Sequence, residues 1–156
     1  MSRGPSPSTP SRETIELTIP ARPEYVVVVR LAAAGIAGRM GFSFDEVEDL
    51  KIAVTEACTH AILAGAEPIQ VRFGVDSEAL EVQVDYAAPR FVRSEERELG
   101  LFLIRCLTDE VATHEEAGRR RMRMIKRVGP APPAYPGPAD AGSADPSPAR
   151  SPTDAN

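Results

Sequence analysis

Tryptophan is absent from this chain of 156 residues, aromatic residues make up only 5%, and there are just two cysteines. Cys58 and Cys106 lack the spaced Cys or His neighbours that a zinc module or a disulfide framework requires. Each lies in a helix-like apolar pattern and is expected to be a small buried hydrophobe. No apolar run approaches the roughly 20 residues that cross a bilayer, and residues 1–11 carry Pro and Ser where a signal peptide needs an apolar core. A soluble, cytoplasmic protein without membrane contact is the expectation. Positive charge is not in excess either: the formal net charge is −5 and the pI about 5.1, which argues against direct nucleic-acid binding.

Proline, by contrast, is plentiful and concentrated at the two ends. Residues 1–11 and 129–156 mix Pro with Ser, Ala and Gly and cannot bury enough apolar surface to offset chain entropy, so both are expected to be disordered tails. Residues 12–128 are left as one folded domain.

Within that domain, Ile15, Leu17 and Ile19 alternate with polar residues over Glu13–Ile19, the period-2 mark of a half-buried strand that Pro20 ends. Pro23 suits the first turn of a helix reaching Met40, with Val26, Val29, Ala33, Ile36, Ala37 and Met40 spaced for one face. Ser43 and Glu46 form a capping box for a second helix, Phe44 to Leu63, along which Val47, Leu50, Val54, Ala57 and Ala61 recur every three or four residues. Ile69–Val75 and Leu80–Val84 alternate around Asp76-Ser77-Glu78, a β-hairpin. Helical spacing returns over Glu95–Thr108 through Leu99, Phe102, Leu103, Cys106 and Leu107. Val111–Glu115 and Arg120–Val128 then flank Glu116-Ala117-Gly118 as a last hairpin. The order β-α-α-β-β-α-β-β predicts an α+β domain, a two-layer sandwich with helices on one face of a mixed, largely antiparallel sheet.

Candidate chemistry centres on Glu56 and His60, which at i and i+4 project from one helix face. They read either as an acid and an imidazole serving one ligand or as a solvated or mutually paired helix-face couple. The basic concentration Arg119, Arg120, Arg121, Arg123, Lys126 and Arg127 reads as a charged solvent face that discourages edge pairing, or as a site for an acidic partner or phosphate.

The segment Thr55-Glu56-Ala57-Cys58-Thr59-His60-Ala61, with Leu99-Gly100-Leu101-Phe102-Leu103-Ile104 and the element order, resembles the anti-sigma-factor serine kinases of RsbW and SpoIIAB type. These are small GHKL ATPases with a Bergerat-like, histidine-kinase-like fold, and the resemblance covers about Glu13 to Val128. It implies binding and sequestration of an RNA polymerase sigma factor, control by a STAS-domain anti-anti-sigma antagonist, a homodimer, and ATP with Mg²⁺ as cofactors for serine phosphorylation of that antagonist.

Carried over residue by residue, the resemblance makes Glu56 the general base and His60 the occupant of a magnesium-ligand Asn position. Asp85 becomes the reader of adenine and Gly100 the second glycine of a phosphate-facing Gly-x-Gly. Arg30 falls on an arginine that contacts the sigma factor. The departures all lie at the nucleotide. An imidazole nitrogen at His60 is a poor donor for a hard cation. Ala87 and Pro89 stand at glycine places, Glu98 replaces the first glycine of Gly-x-Gly, and Arg119 follows Gly118 where Gly-Thr is usual. Phosphotransfer is therefore expected to be reduced or absent, with an active serine-protein kinase as the alternative. Without the resemblance, Asp85 reads as a strand-end acid, Gly100 as a helix-packing residue and Arg30 as a snorkelling cation.

Overall fold

The computed structural model describes residues 12–130, so both expected tails lie almost wholly outside the described residues. Eight elements follow one another: β1 (Glu13–Ile19), α1 (Pro23–Met40), α2 (Phe44–Leu63), β2 (Ile69–Val75), β3 (Ala79–Ala87), α3 (Ser94–Leu107), β4 (Glu110–Glu116) and β5 (Arg119–Arg127). The strands form one sheet in the order β1-β2-β3-β5-β4, and every ladder in it is antiparallel. The α+β sandwich expected from sequence is thus present, with no parallel pairing among the described strands.

Local chemistry accounts for the element ends. Pro23 opens α1, where its missing N–H costs nothing. Ser43 Oγ accepts the Glu46 N–H at 3.2 Å while Glu46 Oε2 accepts the Ser43 N–H at 2.7 Å, which completes the capping box of α2. Asp76 Oδ1 accepts the N–H groups of Glu78 and Ala79, both at 2.8 Å, and so closes the β2–β3 turn. Between β4 and β5 the turn is Ala117-Gly118, with φ of 50° and 74°. Two left-handed residues match the strand twist, at some steric cost for the alanine.

Helix α2 lies between α1 and α3, and all three cover one face of the sheet. Small residues make this possible: Ala33 and Ala37 of α1 and Ala53, Ala57 and Ala61 of α2 are fully buried. The core beneath them is filled by Leu50, Phe73, Leu80, Tyr86, Ile104, Met122 and Met124. Three expectations are corrected here. The apolar spacing of α3 faces inward only in part: Leu107 packs against the core beside the buried Gly100 and Ile104, whereas Leu99 is 63% and Phe102 60% exposed. Cys106 shares that outer stripe and is exposed, while Cys58 is buried as expected and its thiol is pushed up to about 12 by burial. Gly100 of α3 packs on His60 of α2, and at about 100° per residue that placement turns Leu99 and Phe102 outward. Nor is β5 an edge strand, since it pairs with both β3 and β4.

Candidate functional site

Glu56 and His60 stand one turn apart on α2 in different surroundings. Glu56 is half-buried, and no hydrogen bond or ion pair among the described residues engages it. His60 is 5% exposed and turns toward α3. Its ring lies so close to Gly100 that a Cβ added there would run into Nε2 and stand 2.9 Å from Cδ2 and 3.0 Å from Cε1. The absence of a side chain at Gly100 is what lets the imidazole occupy this seam. Two residues nominated separately from sequence, His60 and Gly100, thus meet.

Around the ring the groove is polar. Arg120 of β5 lies opposite Tyr86 of β3 and is only 9% exposed. Its Nη2 donates to Glu115 Oε2 at 2.9 Å, and that bond holds the Glu115 carboxyl below its usual range, aided by the Arg120 charge. The Tyr86 hydroxyl is fully buried without a geometrically acceptable hydrogen-bond partner, although the Arg120 guanidinium stands beside it. Burial pushes the Tyr86 hydroxyl up, with Arg120 opposing. For His60, burial first and then the charges of Arg120 and Arg97 hold the imidazole below its ordinary value, so the ring is neutral. Next to it is a cavity of ≈ 70 Å³ whose lining includes His60, Arg97, Thr113, Glu115, Arg120 and Met122.

Asp85 does not line this cavity. On β3 the side chains of Leu80, Val82, Val84 and Tyr86 face the helices, so the period of two sends Asp85 to the open face of the sheet. There it accepts from Arg119 Nε and Arg121 Nε, each at 3.0 Å. Burial acts to raise its carboxyl, but the two arginine hydrogen bonds outweigh it and the net displacement is downward. The wider concavity on that face, ≈ 270 Å³ and lined by Glu16, Gln70, Arg72, Gln83, Asp85 and Arg121, is on the side of the sheet away from His60. Tyr86, one residue on, holds the inward position.

The position that the resemblance gives to a magnesium ligand carries an imidazole packed on Gly100. Among the described residues no three His, Cys, Asp or Glu side chains form a group able to hold a metal ion. The cavity beside the imidazole measures ≈ 70 Å³.

Arg30 belongs to a separate surface. It is exposed on the outer face of α1 with Tyr25, Val27, Val28 and Leu31 around it in sequence, all exposed, and Leu31 at 68%. Since α2 intervenes between α1 and α3, this face is remote from the groove. Tyr86, Arg97 and Glu115 were not singled out in the sequence, and Arg120 only as one of a basic run, although continuing the alternation of Leu80, Val82 and Val84 by one step points to Tyr86.

Residues 19–126 match the family described as "Histidine kinase-like ATPase domain". The serine-protein kinase RsbW of Bacillus subtilis is 37% identical over 127 residues, a match that covers 67% of this chain and 79% of that protein. RsbW of Bacillus velezensis is 38% identical over 131 residues, covering 69% of this chain and 82% of the relative. In structure, the RsbU and RsbW domains of Rv1364c from Mycobacterium tuberculosis superpose with a TM-score of 0.61 at 16% identity, over 74% of this chain and 32% of that one, a likeness of fold. No described helix is long and apolar enough to cross a membrane. A shared α+β sandwich, an acid and a small-residue stripe on α2, and sequence similarity across most of the RsbW length lead to one assignment: this chain belongs to the histidine kinase-like ATPase domain family, with the RsbW serine-protein kinases among its relatives.

Proposed function

We propose that this protein is an anti-sigma regulatory factor. It binds and sequesters an RNA polymerase sigma factor through the exposed face of α1 around Arg30, and it answers to a STAS-type anti-anti-sigma antagonist. Transfer of phosphate from ATP is weak or absent. The observation that carries this reading is the seating of the His60 ring on Gly100, which fills the seam between α2 and α3 and leaves ≈ 70 Å³ beside it. Sequestration needs no such space, because the α1 face presents a cation amid apolar side chains, a composition suited to an interface anchor. A homodimer belongs to the same reading, with the exposed Val27, Val28 and Leu31 available to be covered by a second copy.

Mixing the full chain with its sigma factor and no nucleotide should give a complex that survives gel filtration. A complex that forms only with ATP and magnesium would overturn the reading. One observation favours a second reading, an active serine-protein kinase: the relatives bear that name, and Glu56, the residue at the base position, is not engaged in an ion pair among the described residues. Transfer of labelled phosphate to a STAS-domain protein, abolished in Glu56→Ala, would establish it.

A further inference from the structure

Helix α3 leaves a compact apolar stripe in water. Leu99, Phe102, Leu103 and Cys106 stand at i, i+3, i+4 and i+7 and so fall within about 100° of arc, on the side away from the buried Gly100 and Ile104. Leu99, Phe102 and Cys106 are exposed and Leu103 is half-buried. Along one flank of the stripe lie Glu98 and Arg105, seven residues apart and both exposed. Neither makes an ion pair or a side-chain hydrogen bond among the described residues. The first turn of the helix is acidic, through Glu95 and Glu96, and its last turn basic through Arg105.

Such a surface is complementary to its own copy when the copy is reversed. A twofold axis perpendicular to α3, passing between Phe102 and Leu103, lays the stripe on itself in the antiparallel sense. Leu99 then meets Cys106 of the second copy and Phe102 meets Leu103. Glu98 of each copy reaches Arg105 of the other on the same flank, which gives two reciprocal ion pairs. Parallel pairing sets Glu98 against Glu98 and Arg105 against Arg105, and like charges in register repel. The neighbouring edge strand does not compete, because pairing β4 with its own copy about Thr113 brings Glu110 against Glu116. We propose that α3 is a self-association surface. A second copy of this chain docks antiparallel on Leu99, Phe102, Leu103 and Cys106, and the Glu98–Arg105 pairs fix the register. The contact is distinct from the α1 face and independent of sigma-factor binding.

The test is cysteine cross-linking in the full chain. Leu99→Cys sets a thiol opposite Cys106 of the second copy, and a disulfide closes only where the two Cα atoms come within about 7 Å. Mild oxidation should give a covalent dimer in Leu99→Cys and none once Cys106→Ser is added. The unaltered chain should give none, because Cys58 is buried and Cys106 lies roughly two helical turns from its own counterpart. Sedimentation is read in Leu31→Glu, which removes any contact through α1; it should find two chains, and one after Phe102→Glu. Glu98→Arg and Arg105→Glu should each weaken pairing about 10-fold, and the two together should restore it. A disulfide through Cys106 in the unaltered chain, a mass unchanged by Phe102→Glu, or a double charge variant no better than the single ones would each overturn the proposal. So would a chain that stays single: resistance of Cys106 to alkylation would then give the stripe to the proline-rich residues 130–138 of the same chain, and loss of sigma-factor binding in Phe102→Glu would give it to that partner.

Discussion

The groove between α2 and α3 and the outer face of α1 are built from similar materials and arranged in opposite senses. In the groove, polar side chains are drawn inside: among the described residues His60 and Arg120 are the buried polar ones, seated on Gly100 and Glu115. On α1, apolar side chains are left outside, with Val27, Val28 and Leu31 around the exposed Arg30. Burying a polar group is costly unless it is partnered, and exposing an apolar one forgoes burial energy. The first region has its space filled from within, and the second presents a surface that another protein can fill from without.

The largest expected effect comes from filling the seam. Gly100→Val should destabilise the fold by about 3 kcal/mol in urea titration, the upper range for overpacking, because its Cβ meets the imidazole. His60→Ala in the same chain should recover a large part of that loss. Additive costs in the double mutant would mean that the ring and the glycine are not in contact. On the other region, Arg30→Ala should weaken sigma-factor binding by about 2 kcal/mol, roughly 30-fold, and leave the unfolding midpoint unchanged. If binding is unaffected while a groove variant abolishes it, the roles of the two regions are reversed.

Acid should distinguish them more gently. His60 is neutral when folded because its pKa lies below the ordinary 6.5, so the unfolded chain binds the extra proton as pH falls. The associated stability is complete above 6.5 and is lost as pH falls through the folded value. His60→Gln should flatten that part of the stability profile, while Arg30→Ala should not change it. The smallest effect belongs to Glu56→Ala, which should alter stability by no more than about 0.5 kcal/mol, since the carboxylate has no partner among the described residues. A larger loss would reveal a pairing with His60 that the structure does not contain.

Much of the fold was legible because its signals are local. The alternation in Ile69–Val75, the Ser43–Glu46 box and Pro23 at a first turn each depend on residues a few positions apart, and the observed elements β2, α2 and α1 begin and end where those signals lie. The site was legible only in part. Glu56 and His60 were recognisable by spacing on one helix, but the partner of His60 is forty positions away on α3 and no periodicity connects them. Asp85, read as an adenine contact by resemblance or as a strand-end acid by itself, is turned by the strand's own period of two toward Arg119 and Arg121. The stripe Leu99, Phe102 and Cys106 was misjudged, since a helical period identifies an apolar face and cannot say whether that face meets the core.

By itself the sequence determined the family, the order of helices and strands and the α2 stripe that the core is built on, because hydrophobic period, caps and turn residues act over a few bonds. Only the tertiary structure decided that His60 would close the seam on Gly100, that Arg120 would turn inward between Tyr86 and Glu115, and that α3 would leave its apolar stripe in water. Those outcomes depend on which surfaces approach most closely, and close approach is set by the volumes of side chains far apart in the chain.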